Sequence, residues 1–557
     1  MFAFLLIMSM FSQGLTIVSY GDSFITAFPE NLGYFYPNTS RSLRVTALLD
    51  GTSVNIFYNG GSTPTQTNMQ KGQTVLVGFP TSVNQFDYST QSIRITSDKY
   101  IVVHSVSGTD GVNNKSVQTN VVQPDENLDT HYLIPSLNYP NLLATFGISQ
   151  PDIASKRYGS IRLIIINAED TENNITLVKN ISGRIQIESF TIPSFQLIQL
   201  QVNASLMMVN SSSKTALLLT HPCLEKPGCT CSMIVNQILP VRFQGQNFVV
   251  PSFPGITQRQ LLTTSRDKAI SPSQNNISLT ANLAGLQSIS DPDKSQYVTA
   301  SSNVSLRLIS PGLFIELIPE NMFAACYLLH FYTNNKQAIV IAKTDSKDEV
   351  HAGTETLQNA VWTEIPDTEY SSGRITLSDT SVMTVIWHPS SKIAVYILEN
   401  TQETIFGGPA IPINLKPDKS GCVVIPGEFK VGEQPLKWAE ALHFCANDQR
   451  EFACPTDKAL QVDLANSVDT TDAEGWIGLR RSLMTTEWSW KKQSSSSSSP
   501  SPPVTYVNWA DGQPQDKLKG FCASLSLDGT DDFKWKSTKC CEKKLPICYK
   551  PPTTIVP

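Results

Sequence analysis

Charge is scarce in this chain, and histidine scarcer. Of 557 residues only 16% are Asp, Glu, Lys or Arg, and the formal net charge is -6. No basic stripe interrupts the sequence, which argues against nucleic acid as a partner. The seven histidines, His104, His131, His221, His330, His351, His388 and His443, are scattered without metal-ligand spacing. There is no Gly-x-Ser-x-Gly elbow, no Walker loop and no dinucleotide fingerprint, and Asn59-Gly60-Gly61 has the spacing of a turn rather than of a phosphate cradle. No enzyme, catalytic residue or cofactor is therefore expected. Long apolar runs are missing as well. Met1–Phe11 is apolar but too short to span a bilayer, and residues 1–19 read as a signal peptide although its usual basic start is absent. Residues 551–557 form a polar tail without a hydrophobic anchor.

What is present points to an oxidising compartment. Asn-X-Ser/Thr sequons occur at Asn38, Asn114, Asn174, Asn180, Asn203, Asn210, Asn276 and Asn303, all before residue 310. Of 11 cysteines, seven follow residue 420, as in disulfide-bonded secreted proteins. The expected localisation is secreted and extracellular. A chain of this length is too long for one core and divides into several domains.

Between residues 20 and 415, short apolar runs alternate with Gly, Pro, Asn and Asp, as in Ser42–Leu49, Tyr100–His104, Arg162–Ile166 and Ala216–Thr220. These read as strands, some buried on both faces. They also repeat. Ser42-Leu43-Arg44-Val45 returns as Ser160-Ile161-Arg162-Leu163, Tyr100–His104 as Leu217–His221, and Tyr132–Leu137 as Phe248–Phe253. The spacing stays between 116 and 118 residues, the size of a sandwich domain. Two β-sandwich-like repeats are expected at 20–145 and 146–275, then a looser β-rich third unit at 276–412 and a linker at 413–421. His104 and His221 are repeat-equivalent and read as structural. Cys223, Cys229 and Cys231, with Cys326 available, read as two disulfides rather than a zinc site.

Three stretches, Tyr20–Asn31, Ser97–Ser105 and Gln237–Pro240 with Gln246–Pro251, make this region similar to the IgGFc-binding-protein N-terminal domain. The resemblance implies an extracellular adhesive or matrix role. It does not imply that this chain binds immunoglobulin.

Residues 422–550 differ in character. Pro435–Cys445 reads as an amphipathic helix, followed by Trp476-Ile477-Gly478-Leu479, Trp488-Ser489-Trp490, Tyr506–Pro514, Cys522, Trp535, Cys540-Cys541 and Leu545-Pro546-Ile547-Cys548. This tract resembles a C-type lectin domain nearly end to end, which implies an α+β fold with bridges Cys445–Cys548 and Cys522–Cys540. Cys422, Cys454 and Cys541 are left with an interchain bond, a bond to the front region and a free thiol as alternatives. The family's sugar and calcium motif falls on Gln513-Pro514-Gln515 and Trp535-Lys536-Ser537. Calcium needs six to eight oxygen ligands, usually with carboxylates. Gln515 is a longer neutral amide than the family's residue, and Lys536 would oppose a dication by several kcal/mol at short range. Calcium is therefore not expected, and no metal site is. Asp511, Asp528, Asp531 and Asp532 read as solvated loop acids. Ser494–Ser499 with Pro500, Pro502 and Pro503 reads as a disordered insertion beside the binding face.

The combination is similar to secreted lectin-like proteins of nematodes. It implies a secreted recognition or adhesion glycoprotein that binds a glycan independently of calcium, or a protein, in innate defence at an epithelial surface. The alternative is a structural mucus or matrix component that uses the lectin fold for protein contacts. Neither reading includes a membrane anchor.

Overall fold

The computed structural model describes residues 17–555 except 32–38, 60, 63–65, 110–116, 136–141, 145, 147–159, 182–183, 203–205, 227–229, 254–255, 257–258, 266–276, 279–283, 289–293, 311–312, 333–335, 358–359, 378–382, 401–404, 469–472, 492–503, 516–519 and 530–531. Most of the signal-peptide segment, the sequons at Asn38, Asn114, Asn203 and Asn276, Cys229, the Ser/Pro tract and Asp531 lie outside the described residues. The chain forms two compact units, one ending at Cys422 and taking up Ile555, the other Val423–Thr554.

The first unit is built of largely antiparallel sheets, the first three each organised on one long strand. In the first sheet β1 (Gly21–Ala27) and β2 (Thr39–Ala47) pair with β3 (Ser92–Thr109), which also pairs with β4 (Val117–Val122). Leu43, Val45 and Ala47 alternate along β2 and are buried together with Phe24, Ile95, Val103 and Val122, as a period of two requires. In the second sheet β5 (Asp129–Ile134) and β6 (Asn173–Ile181) pair with β8 (Leu206–Lys226), β7 (Arg184–Ile192) pairs with β6, and β9 (Thr230–Gln237) pairs with the far half of β8. The third sheet contains β10 (Gly245–Val250), β11 (Gln296–Ser310) and β12 (Leu313–Glu316). Beyond it come β13 (Cys326–His330) with β14 (Met383–Trp387), then β15 (Ala394–Asn400) with β16 (Ile405–Pro409), and β17 (Ile411–Asn414), which returns to pair with β13.

A proline-led 3-10 turn marks each transition. Pro124, Pro240 and Pro319 precede the turns Asp125–Asn127, Val241–Phe243 and Glu320–Met322, and a strand opening the next sheet follows each. Phe24 bridges to Pro124 and Phe248 to Pro319, with Gly21 and Gly245 lying so close under those prolines that a Cβ on either would collide. The two other openings use a tyrosine. Tyr132 accepts from Asp129 N at 3.0 Å and donates to Thr215 O at 2.6 Å, while Tyr327 accepts from Ala324 N at 3.1 Å and donates to Ile393 O at 3.0 Å. The sheets therefore divide differently from the boundaries expected at 145 and 275. Asp129–Ile134 and Gly245–Val250 open the second and third sheets instead of ending the units before them, and Cys326 opens a fourth group of strands inside 276–412. A repeat spacing measures period, not phase, and only the hydrogen-bond register supplies the phase.

Strands from all four groups converge on a cavity of about 90 Å³, lined by Asn120, Gln237, Glu316, Glu399, His104 and His330 among others. Its wall holds the unit's first and last parts together. His104 Nδ1 lies 2.9 Å from His330 Nδ1, and His330 Nε2 lies 3.1 Å from Thr46 Oγ1. Arg44 donates to Phe331 O at 2.9 Å and stacks on Tyr332 at 3.7 Å. His221, the repeat partner of His104, is fully buried and accepts from Cys223 N at 3.2 Å. Cys326 is joined to Cys422, so it is not the partner of the Cys223 cluster, and Cys422 is bonded to the front region. Cys223 is itself disulfide-bonded. The bridge Cys326–Cys422 closes 96 residues of chain and restricts the unfolded state accordingly.

The histidine pair makes the first unit acid-sensitive. Burial pushes both rings down, with Arg44 adding to the effect; His330 falls to about 3, and His104, also opposed by His330, lies well below 6.5. The folded state then holds both rings neutral while the unfolded chain protonates near pH 6.5, so the unfolded state binds more protons between about 3 and 6.5. Stability is complete above pH 6.5 and declines below it by up to about 1.4 kcal/mol per pH unit for each histidine. Calorimetric melting of the full chain from pH 7 to pH 4 checks this. The first unit's transition should move to lower temperature, and His330→Asn with His104→Asn should flatten the slope.

Candidate functional site

The second unit begins with β18 (Val423–Ile425), which pairs at its far end with β24 (Thr553–Thr554). Between them lie α1 (Trp438–Asn447), α2 (Lys458–Ser467), β19 (Glu474–Arg481), β20 (Trp488–Trp490), β21 (Cys522–Ser526), β22 (Trp535–Thr538) and β23 (Leu545–Lys550). Glu440 reaches back to accept from Lys437 N at 3.0 Å, satisfying an otherwise orphaned donor at the start of α1, and Asp457 caps α2 through Leu460 N at 2.9 Å. The buried side of α1, Trp438, Ala441 and Cys445, packs on Phe452 and Trp476. Cys445 is joined to Cys548 and Cys522 to Cys540, so one bridge ties α1 to β23 and the other ties β21 to the loop between β22 and β23. Cys454 is buried with its Sγ 3.3 Å from Phe452 O, while Cys541 is an exposed thiol. At Gly478 a Cβ would sit 2.6 Å from Cys454 Sγ and 2.9 Å from Lys491 O, which explains a glycine within Trp476–Leu479.

The tryptophans form one network. Trp490 and Trp535 are fully buried and meet edge to face at 5.7 Å, and Trp535 donates to Gln461 Oε1 at 3.0 Å. Trp509 packs edge-on against Trp535 at 5.7 Å and lies 5.0 Å from Trp488. Trp488 and Trp509 are half-buried, so they alone of the four present ring surface outward. Arg481 stacks on Trp488 at 4.6 Å and reaches Gln515 O at 3.4 Å.

This network carries the two segments singled out from the sequence. The pleat of β22 turns Trp535 and Ser537 inward and Lys536 and Thr538 outward. Backbone bonds from Trp535 N to Asn508 O and from Ala510 N to Trp535 O clamp the Tyr506–Pro514 loop against β22. Gln513 Oε1 then accepts from Ser537 N at 3.0 Å and from Ser537 Oγ at 2.9 Å, while Ser537 Oγ accepts from Gln515 N at 2.8 Å. The structure thus brings Gln513, Pro514, Gln515, Trp535 and Ser537 together, with Gln513 Oε1 and Ser537 Oγ bonded inside the chain and Gln515 held through its backbone. Lys536 leaves this cluster and joins another. Its Nζ lies 3.3 Å from Glu474 Oε1, and Glu474 Oε2 receives Lys544 and also Ser524 Oγ at 3.2 Å. Burial works to raise the Glu474 carboxyl, but Lys544 and Lys536 hold it below the usual carboxylate range. Glu474 and Lys544 carry no motif; the register of β19, β21 and β22 brings Glu474 to Lys536, and the pairing of β19 with β23 brings Lys544.

Asp511 and Asp532 are exposed, and Asn508 Nδ2 contacts Asp532 O rather than its carboxylate. Among the described residues no cluster of three or more His, Cys, Asp or Glu is placed to hold a metal ion. Among them, too, no helix is long and apolar enough to cross a membrane. Leu483, Met484 and Val507 are exposed on this unit, at 72%, 96% and 51%.

The chain matches the family model of the lectin C-type domain over residues 434–550 and that of the IgGFc binding protein over residues 118–398. Rat (Rattus norvegicus) C-type mannose receptor 2 is 28% identical over 135 residues, covering 23% of this chain and 8% of that protein. Human (Homo sapiens) IgGFc-binding protein is 21% identical over 377 residues, covering 64% of this chain and 7% of its own length. Mouse (Mus musculus) lithostathine-1 is 30% identical over 112 residues, covering 19% of this chain and 62% of that protein. The chain thus spans less than a tenth of the mannose receptor and of the IgGFc-binding protein. With one family model matching half of its length, the chain belongs to the IgGFc binding protein family and carries a C-type lectin domain at its C-terminal end.

Proposed function

We propose that this protein is a secreted recognition or adhesion glycoprotein whose lectin domain engages an extracellular glycan or protein without calcium. The observation that carries the reading is the internal pairing of Gln513, Gln515 and Ser537. Gln513 Oε1 and Ser537 Oγ, two of the oxygens that would have to turn toward a cation, already accept from N–H and O–H donors, and Gln515 joins the pairing through its backbone N–H. The ammonium of Lys536, joined to Glu474, adds positive charge on the same strand. The strand-rich front region would act as a set of tandem sandwich-like domains that present the lectin domain, with no enzymatic role. Innate defence at an epithelial surface is the setting this architecture fits. A second reading, a mucus or matrix component that uses the lectin fold for protein contacts, is favoured by the exposed Leu483, Met484 and Val507.

Calorimetric titration of Ca²⁺ into the full chain, with glycan-array binding repeated in a chelator, tests the proposal. Neither heat nor chelator sensitivity is expected, and array signal that disappears with the chelator would sink it. The substitutions Lys536→Asn with Ser537→Asp restore an amide and a carboxylate and should bring measurable calcium affinity only if the rest of the loop can rearrange. Ser537→Ala removes the hydroxyl between Gln513 and Gln515 and should lower the second unit's stability by about 1–2 kcal/mol, read from its melting transition. No loss would show that the loop is not held by this residue.

A further inference from the structure

The outer face of the second sheet brings three sequons together around an apolar surface. β6 and β7 pair in the register Asn174 to Thr191, Thr176 to Ser189, Val178 to Ile187 and Asn180 to Ile185. On its other side β6 pairs with β8, placing Thr176 opposite Asn210 and Val178 opposite Met208. Alternation sends Ile175 and Leu177 into the core and leaves Asn174, Thr176, Val178 and Asn180 on the opposite face. Asn174, Asn180 and Asn210 therefore surround Val178, Met208, Ile185 and Ile187. The two isoleucines are 72% and 66% exposed. They sit on β7, the edge strand of its sheet. Nine residues of edge strand carrying exposed isoleucines form a template for pairing with another chain, a hazard that proteins block by covering or charging the edge.

We propose that N-linked oligosaccharides on Asn174, Asn180 and Asn210 cover this face, the Asn180 glycan lying over Ile185 and Ile187. Residues directly opposed in an antiparallel pair have Cβ atoms about 4.5–5.5 Å apart, so the first sugar on Asn180 starts beside Ile185. Its C–H faces and acetamido methyl offer apolar contact while its hydroxyls face water. Asn174 is exposed, and its Oδ1 accepts from Thr191 Oγ1 at 2.8 Å, which holds the side chain on the outer face with Nδ2 as the linkage atom. Attachment forms a bond between Nδ2 and C1 of an oligosaccharide and breaks the bond from C1 to its polyprenyl diphosphate carrier. The carrier leaves with the electron pair, and one Nδ2 proton is released. This inference rests on the secretory reading above and adds a role that the lectin domain does not supply.

The test uses the full chain secreted from cultured animal cells. Enzymatic deglycosylation in ¹⁸O-water followed by peptide mass spectrometry reads the occupancy of each sequon. Asn180 should be modified, and Asn180→Gln should raise both binding of an apolar dye and the rate of aggregation several-fold. Adding Ile185→Thr and Ile187→Thr should return both to the native level. Asn303→Gln, which removes an exposed sequon in the third sheet, should change neither. An unmodified Asn180 beside a modified Asn303 would overturn the proposal. So would native behaviour of Asn180→Gln, or a dimer of the glycosylated chain that the isoleucine substitutions dissociate. A chain carrying no glycan at any sequon would instead overturn the secretory reading on which the proposal rests.

Discussion

Buried arginine is the constraint that orders the front of this molecule. A guanidinium cannot lose its charge, so taking it out of water requires a partner placed to meet it. Half-buried Arg44 and fully buried Arg162 and Arg307, each preceded by Ser-Leu or Ser-Ile, stand in the first, second and third sheets, and each finds its partner differently. Arg162 is buried and meets Glu30, in the segment that follows β1, at 3.0 Å. Arg44 crosses instead to the last group of strands, where a carbonyl and the face of Tyr332 receive it. Arg307 is met within its own sheet by Glu316 at 2.6 Å, with Thr264 as a second acceptor. Two of the three bonds therefore fix which sheet stands beside which. Replacing either arginine with a neutral residue would remove an anchor, whereas removing Glu30 alone would leave a buried charge, the more damaging of the two changes.

The lectin domain treats charge in a parallel way. Ser537 N–H and O–H donate to Gln513 Oε1, and the one cation of β22 goes to Glu474. Glu474 is held by Lys544, Lys536 and Ser524 together, so it has little capacity left for a further cation. The loop is positioned by groups that need no ion, and Trp535 beneath it is fixed by Gln461 and two backbone bonds.

How far this was legible in the sequence depends on the range of each interaction. Alternating burial in β2 follows from local pattern, because a strand's neighbours two residues apart share a face. The closeness of Gln513–Gln515 to Trp535–Ser537 was implied by the family resemblance, whereas the inward turn of Ser537 is seen only in the burial pattern of β22. Glu474 and Lys544 were invisible, since no spacing rule joins strands separated by loops of unspecified path. Repeat phase was ambiguous for the same reason. A motif such as Tyr132–Leu137 reads identically whether it ends one sheet or begins the next, and only pairing with β8 decides. Ser305-Leu306-Arg307-Leu308 falls outside the spacing of the other matches, and it lies on the long strand β11 itself, whereas Arg44 and Arg162 lie on strands paired beside the long strand of their sheets.

The histidines show why a neutral reading of a scattered residue type can be right in kind and incomplete in content. His104 is structural, as its repeat position suggests, yet its partner is His330, which lies 226 residues away and outside the repeat alignment. Two imidazoles can hydrogen-bond only while one of the facing nitrogens lacks a proton, so the contact between the first and last sheets excludes the doubly protonated pair. Arg44, close enough to oppose a positive imidazole, reinforces that choice. The same arginine that secures the closure thus also penalises its protonation, and pairing at this seam couples the order of the sheets to proton concentration.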